Sequence, residues 1–583
     1  MNPLLHIAIF AYPFIGALIA AARRRSFAMA AWFMVTAPLP ALTAALIFSE
    51  DVTYNVPWLL MGIQVGLTET TRLFLLFTAA LWVIAGAYSL SYTYRDPRRH
   101  RFFFFYLLTL SGNLGLIIAR DIVVFYAFFA LMTFAAYGLV VHDGKPEGFR
   151  AGRIYIIMAV LGEGCLLSAL LMISSISDNL GFDAVGPAVA ASEWSPIIIP
   201  LILAGFAVKA GIIPLHMWLP LAHPVAPTPA SAVLSGTMIK AGLLGWMTWL
   251  PLGETAYPGW GAITIIFGFA TAFYGALTGL TQNESKTNLA YSSISQMGVI
   301  TVGLGIGLTA PDNWTVVAMV LAVYALNHSL AKGVLFMGVG VSRSGKVPRA
   351  VRPLIITGLA LAALTIIGAP YTGGMLAKRA LKYLDTGTPE LMGGSLEMLL
   401  TLTAAGTTLL LTRFLFLVWS DMKTPIHRHT SHPGLHWIWI AGLAVMAPAA
   451  WYSAAQWVPE ISTAQPGNAE IFASTWPMAL GIVLFSFGAR FRRMFRIWRR
   501  IPAGDIVVPL ERYARRVFRY WNNRVVPLLL RYKLDLDPLM DKLAKSEDQR
   551  DLLSRMESGL EKWNRLGPIF ILLACAIFLL LIL

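Results

Sequence analysis

The sequence predicts an all-α integral membrane protein with about sixteen spanning helices. Of its 583 residues, 57% are hydrophobic and only 13% are charged. That is about half the charged share of a soluble domain, too little polar surface to face water. Apolar stretches of spanning length recur along the chain, and the mean hydropathy is +0.66. The cations gather in short loops between these stretches, so the net charge of +15 reads as cytoplasmic loop charge and not as nucleic-acid binding.

Taken in order, the first stretch, 4–22, has no basic leader and no cleavage site, and reads as a span and not a removable signal. Further spans are expected near 27–48, 67–92, 101–118, 121–141, 152–174, 196–216, 227–251, 260–280, 287–308, 314–342, 353–384, 393–420, 435–455, 473–489 and 566–583. The odd-numbered loops carry Arg23, Arg24 and Arg25; Arg95, Arg98, Arg99 and Arg101; Lys145, Arg150 and Arg153; Lys286; Arg343, Lys346, Arg349 and Arg352; and Lys423 and Arg428. The even loops carry almost none, which places the odd loops in the cytoplasm and both termini on the opposite side. Residues 490–565 turn basic, aromatic and Leu-rich, with Leu552, Met556, Leu560 and Trp563 at helical spacing. This predicts a cytoplasmic amphipathic segment, either an interfacial anchor or a brace across a neighbouring subunit, before the last span. The two cysteines, Cys165 and Cys575, sit in separate apolar runs. With no thiolate or Cys/His set for an iron–sulfur centre, zinc or haem, no cofactor is expected in this chain, and any redox chemistry falls to partners.

Ionisable residues inside the spans carry the functional signal. A lysine at mid-bilayer costs about 2.5–3.5 kcal/mol, so each needs a partner, water or a reason. Lys209 sits in "GFAVKAGIIPLHMWLP", Lys240 in "SGTMIKAGLLGW", His328 and Lys332 in "ALNHSLAKGVLFMG", and Lys378 in "GAPYTGGMLAKRALKY". His328 and Lys332 are four apart and share a helical face. One such lysine most simply snorkels or pairs structurally. Several in one chain, with almost no intramembrane acid to neutralise them, favour a row of exchangeable protons in the membrane plane. Pro214 after Lys209 and "GAPYTGG" before Lys378 predict two interrupted helices in corresponding halves, a mark of repeated transporter architecture.

The stretches "AVKAGIIPLHMWLPLAHPVAPTPASAVLSGTMIKAG", "NESKTNLAYSSISQMG", "NHSLAKGVLFMG" and "GAPYTGGMLAK", in that order, resemble the antiporter-like subunits of respiratory complex I, the Mrp cation/proton antiporters and the membrane-bound group 4 hydrogenases. The lateral segment and last span look like those of the distal, subunit-5-like members. The resemblance implies N-terminal spans over 1–100, two inverted five-helix repeats over 101–251 and 252–420 with broken helices 7 and 12, flanking spans over 421–489, a lateral segment over 490–565 and a final span over 566–583. By the same resemblance Lys209 is the proton-binding lysine of the broken seventh span and Lys240 the connecting lysine. His328 and Lys332 are then the linking pair, and Lys378 the terminal lysine.

This sequence departs from that pattern. The family's fifth-span Trp-Glu pair is replaced by Phe129 and Ala130, so the usual carboxylate partner of Lys209 is missing. Glu163, in "MAVLGEGCLLSALL", is the acid expected to pair with Lys209 in its place; otherwise it lies on an entry path. Leu221 and Arg379 stand where relatives often carry Asp, which makes the path more positive and favours protons over sodium. His223, in "AHPVAPTP", is a candidate entry residue, whereas His216 is expected to be structural. The glycines of "GLGIGL" lack the strand context of a dinucleotide site and read as helix packing.

The expectation is a proton-translocating membrane subunit of a multisubunit complex in a bacterial or archaeal inner membrane, partnered by other membrane subunits and by a soluble redox or zinc-containing module. The alternatives are an Mrp-type antiporter subunit, the channel subunit of an inorganic-carbon uptake complex, and a paralogue that no longer conducts.

Overall fold

A computed structural model describes residues 3–22, 27–47, 51–56, 63–344, 347–384, 395–423, 434–457, 467–490, 501–520 and 523–524. Among these, eleven helices are long and apolar enough to cross a membrane. The chain divides into two compact units, Met1–Val56 with Ile63–Ala503, and Pro57–Gly62 with Gly504–Leu583.

The first unit opens with α1 (Pro3–Ala22), α2 (Phe27–Thr36) and α3 (Leu39–Ile47), the last two parted at Ala37 and Pro38 within the single span expected at 27–48. A short antiparallel hairpin follows, β1 (Val52–Val56) against β2 (Ile63–Leu67), pairing Tyr54 with Val65. It is the one sheet among the described residues, and at five residues a strand it is too short for a hydropathy reading to resolve. The helices α4 (Glu69–Tyr92), α5 (Arg99–Ile118) and α6 (Ile122–Val140) fall where expected. Thr68 caps α4 in a capping box with Thr71, and the Asp121 carboxylate accepts from the Val124 N–H at 2.7 Å to start α6. The helix α7 (Pro146–Ile176) starts six residues before the expected 152–174, with Pro146 at its first turn and the polar residues Glu147 and Arg150 extending it.

The expected span 196–216 is broken. The helix α9 (Ser195–Ala210) follows the short α8 (Phe182–Ala191) and stops at Gly211, whose φ of 78° is left-handed. The chain re-enters as α10 (Leu219–Val225). The span expected at 227–251 is α11 (Thr228–Val233), a π-turn over Leu234–Met238 and α12 (Lys240–Trp249). The helices α13 (Pro258–Leu280) and α14 (Ser285–Thr309) pack with their backbones touching, since a Cβ at Gly261, Gly268 or Gly275 would strike the α14 backbone. The long α15 (Trp314–Ser342) leads to the second break, where α16 (Arg352–Ile367) ends at Gly368 with φ 87° and Thr372 caps α17 (Gly373–Tyr383). The unit closes with α18 (Ser395–Lys423), α19 (Leu435–Trp457) and α20 (Asn468–Arg490).

In the second unit, α21 (Val507–Tyr520) carries Leu510, Tyr513, Val517 and Tyr520, all exposed at helical spacing, among arginines. It is amphipathic, as expected of this stretch. Residues 491–500, 521–522 and 525–565 of the expected lateral segment, including Leu552, Met556, Leu560 and Trp563, lie outside the described residues. So do the final span 566–583, Cys575, Arg23 to Arg25, Lys346 and Arg428.

Candidate ion-conducting site

Lys209 is the penultimate residue of α9, carried to the break and buried at 4% exposure. Its Nζ donates to Thr133 Oγ1 at 2.9 Å and to the Tyr155 hydroxyl at 3.4 Å. The rings of Phe129, Tyr155 and Trp218 surround it, with centroids 5.5, 5.7 and 6.0 Å from Nζ. These walls are themselves tied: the Tyr155 hydroxyl donates to Thr133 O at 2.7 Å and Trp218 Nε1 to Val208 O at 2.7 Å. Glu163 lines the same small cavity, about 20 Å³, room for one water. It interacts electrostatically with Lys209, as a partner of that lysine would, and with the Thr133 and Tyr126 side chains. Phe129 thus faces the lysine as part of an aromatic cage, and Thr133, one turn beyond Ala130, supplies the oxygen.

The central residues come together. Lys240 Nζ donates to Ser235 O at 2.7 Å, a carbonyl displaced by the π-turn, and Lys332 Nζ donates to Leu289 O at 2.9 Å. His328, on the same face of α15 as Lys332, is 1% exposed, and neither ring nitrogen has a hydrogen-bond partner. Lys240 and Lys332 both act on this imidazole electrostatically. His223 is likewise buried without a partner for either nitrogen, stacked on Phe336 at 4.6 Å between ring centroids. Lys240, Lys286 and Lys332 all act on it electrostatically.

Lys286 corrects the expectation of a solvated loop cation. It lies in the first turn of α14, is 4% exposed, and donates to Ala226 O at 2.5 Å. The loop cation at this end is Arg343, held by Glu284 at 2.9 Å, Asp421 at 2.8 Å and Ser285 Oγ at 2.8 Å. Burial opposes ionisation of both Arg343 and Glu284, yet their mutual attraction prevails, holding Arg343 above and Glu284 below its ordinary value.

Lys378 lies in α17, where its Nζ donates to Ile367 O at 2.6 Å, a carbonyl freed by the end of α16. It borders a cavity of about 380 Å³ lined by α14, α16, α17, α18 and α20. Arg379 pairs with Glu470 at 2.9 Å, and Leu221 is buried. His216 is fully buried with its ring edge-on to Tyr274 at 5.3 Å, consistent with packing.

Thr133, Tyr155 and Trp218 were not singled out by sequence, and Lys286 was placed among the loop cations. Thr133 and Tyr155 had one available signal, as polar side chains in otherwise apolar helical stretches. Also unforeseen was the link in which the Tyr324 hydroxyl donates to Gln296 Oε1 at 2.9 Å and Gln296 Nε2 to Thr407 Oγ1 at 3.0 Å.

Residues 119–388 match the family model described as "NADH:quinone oxidoreductase/Mrp antiporter, TM". Hydrogenase-4 component B of Escherichia coli is 30% identical over 49% of this chain and 44% of its own length. The Na(+)/H(+) antiporter subunit A1 of Staphylococcus haemolyticus is 28% identical over 66% and 51%. The chain thus spans about half the length of these curated relatives. Among solved structures, an Mrp complex chain from Dietzia sp. superposes with a TM-score of 0.71 at 23% identity, covering 93% of this chain and 63% of that one, which supports the fold.

Proposed function

Through residues 119–388 this chain belongs to the NADH:quinone oxidoreductase/Mrp antiporter membrane family, and from that premise we propose that it translocates protons as one membrane subunit of a larger complex. The observation that carries this reading is the buried row of Lys240, His328 and Lys332, three protonatable groups within electrostatic reach of one another and with no acid among them. Such a cluster does not hold all its charges at once, so loading one site unloads its neighbour. Lys209, with Glu163, is the site on one side of the row, and Lys378 the site on the other. His223 and Lys286 form an entry branch. The broken helices lie in two inverted repeats, 101–251 and 252–420.

The complex sits in a bacterial or archaeal inner membrane, with the N-terminus on the non-cytoplasmic side. Its other members are further membrane subunits and a soluble redox or zinc-containing module, and no cofactor is assigned to this chain. The relatives leave a second reading, an Mrp-type subunit exchanging a cation for protons, favoured by the similarity to antiporter subunit A1. Lys209→Ala and Lys378→Ala, introduced singly into the native complex, are each expected to abolish proton translocation in sealed vesicles while the complex still assembles. Unchanged translocation in both variants overturns the reading.

A further inference from the structure

The row does not account for the cavity beside Lys378. At about 380 Å³ it has room for roughly a dozen waters, at about 30 Å³ each. Its lining mixes apolar residues such as Val299, Leu400 and Pro477 with Lys378, Arg379, Lys382, Glu397 and Glu470. The charged groups are arranged as two bridges: Arg379–Glu470 at 2.9 Å ties α17 to α20, and Lys382–Glu397 at 3.4 Å ties α17 to α18. Lys382 Nζ also donates to Thr401 Oγ1 at 2.6 Å. Both acids, at positions 397 and 470, lie beyond the family match at 119–388. The helix carrying Glu470 is little covered, with 11% of its apolar window buried.

We propose that this cavity is a hydrated vestibule opening to the non-cytoplasmic side, that Glu470 is a proton-carrying residue next after Lys378, and that the Arg379–Glu470 pair closes the vestibule. The proposal rests on the proton-conducting reading above. In the transfer, an Nζ–H bond of the Lys378 ammonium breaks and an O–H bond forms on the Glu470 carboxylate through intervening water. The products are a neutral amine and a neutral carboxylic acid, with no electron moved. Neutral Glu470 no longer attracts Arg379, so the pair opens as the proton arrives and re-forms once it leaves.

The test places a single cysteine at Ser474, a lining residue one turn from Glu470, in the assembled complex with Cys165 and Cys575 replaced by Ala. A membrane-impermeant methanethiosulfonate cation is then applied to either side of sealed vesicles. Labelling is expected from the non-cytoplasmic side only, and about fivefold faster with Arg379→Gln, the factor one partly exposed ion pair can hold back. In the same vesicles Glu470→Gln is expected to suppress translocation and Glu470→Asp to restore it. No labelling from the non-cytoplasmic side, or wild-type translocation in Glu470→Gln, overturns the proposal. If instead translocation survives in both Lys209→Ala and Lys378→Ala, the conducting reading fails, whatever the labelling shows.

Discussion

At the scale of single residues, Lys209 shows how an intramembrane lysine is accommodated. Its amine is met by the Thr133 hydroxyl at 2.9 Å, the Tyr155 hydroxyl at 3.4 Å and three aromatic faces, and Glu163 lines the same one-water cavity. The sequence made Lys209 and Glu163 legible because charges in apolar runs stand out. It left Thr133 and the Trp218 ring obscure, because a hydroxyl or an indole in a span is ordinary until the fold aims it. Lys286 was misread for the converse reason: a charge near a helix end resembles loop charge, and only the packing of α10 against α14 buries it. Thr133→Val keeps the shape and removes the acceptor, leaving a buried ammonium short of a bond at a cost of about 1–3 kcal/mol. Proton translocation is expected to fall about tenfold or more, with Thr133→Ser restoring it. Vesicle acidification rates check this, and a wild-type rate in Thr133→Val contradicts it.

Among the elements, the two interrupted helices do the positioning. Each stops at a left-handed glycine, Gly211 or Gly368, and the second leaves the Ile367 carbonyl free for Lys378. Proline and glycine made both breaks legible, whereas the π-turn before Lys240 has no such punctuation, and the hairpin over Val52–Leu67 is too short to register. The ends of α14, α15 and α18 are joined by the Glu284–Arg343–Asp421 cluster. Because Glu284 is held below its ordinary value, its contribution to stability is present above the unfolded value near pH 4.3 and is lost as pH falls through the lower folded value. Glu284→Gln should therefore cost about 1 kcal/mol or less near neutral pH, since its carboxylate is 36% exposed. The deficit should begin to shrink as pH falls below about 4.3 and close as pH passes the lower folded value. Thermal melts of the detergent-solubilised protein across pH measure this, and a pH-independent deficit contradicts it.

For the whole molecule, the fold class was the most legible property, since composition and span-length periodicity alone demand a helical membrane protein. The placement of the row was less so. Lys240, His328 and Lys332 come from two helices far apart in sequence, and only the packing of α15 against the π-turn brings them together, with the Ser329 hydroxyl donating to Gly236 O. The account makes this row the one link between the Lys209 and Lys378 halves, so the most direct test is proton translocation by the native complex carrying Lys332→Ala. Assembly with translocation abolished is the result the account predicts. Translocation at the wild-type rate in the assembled variant would contradict it.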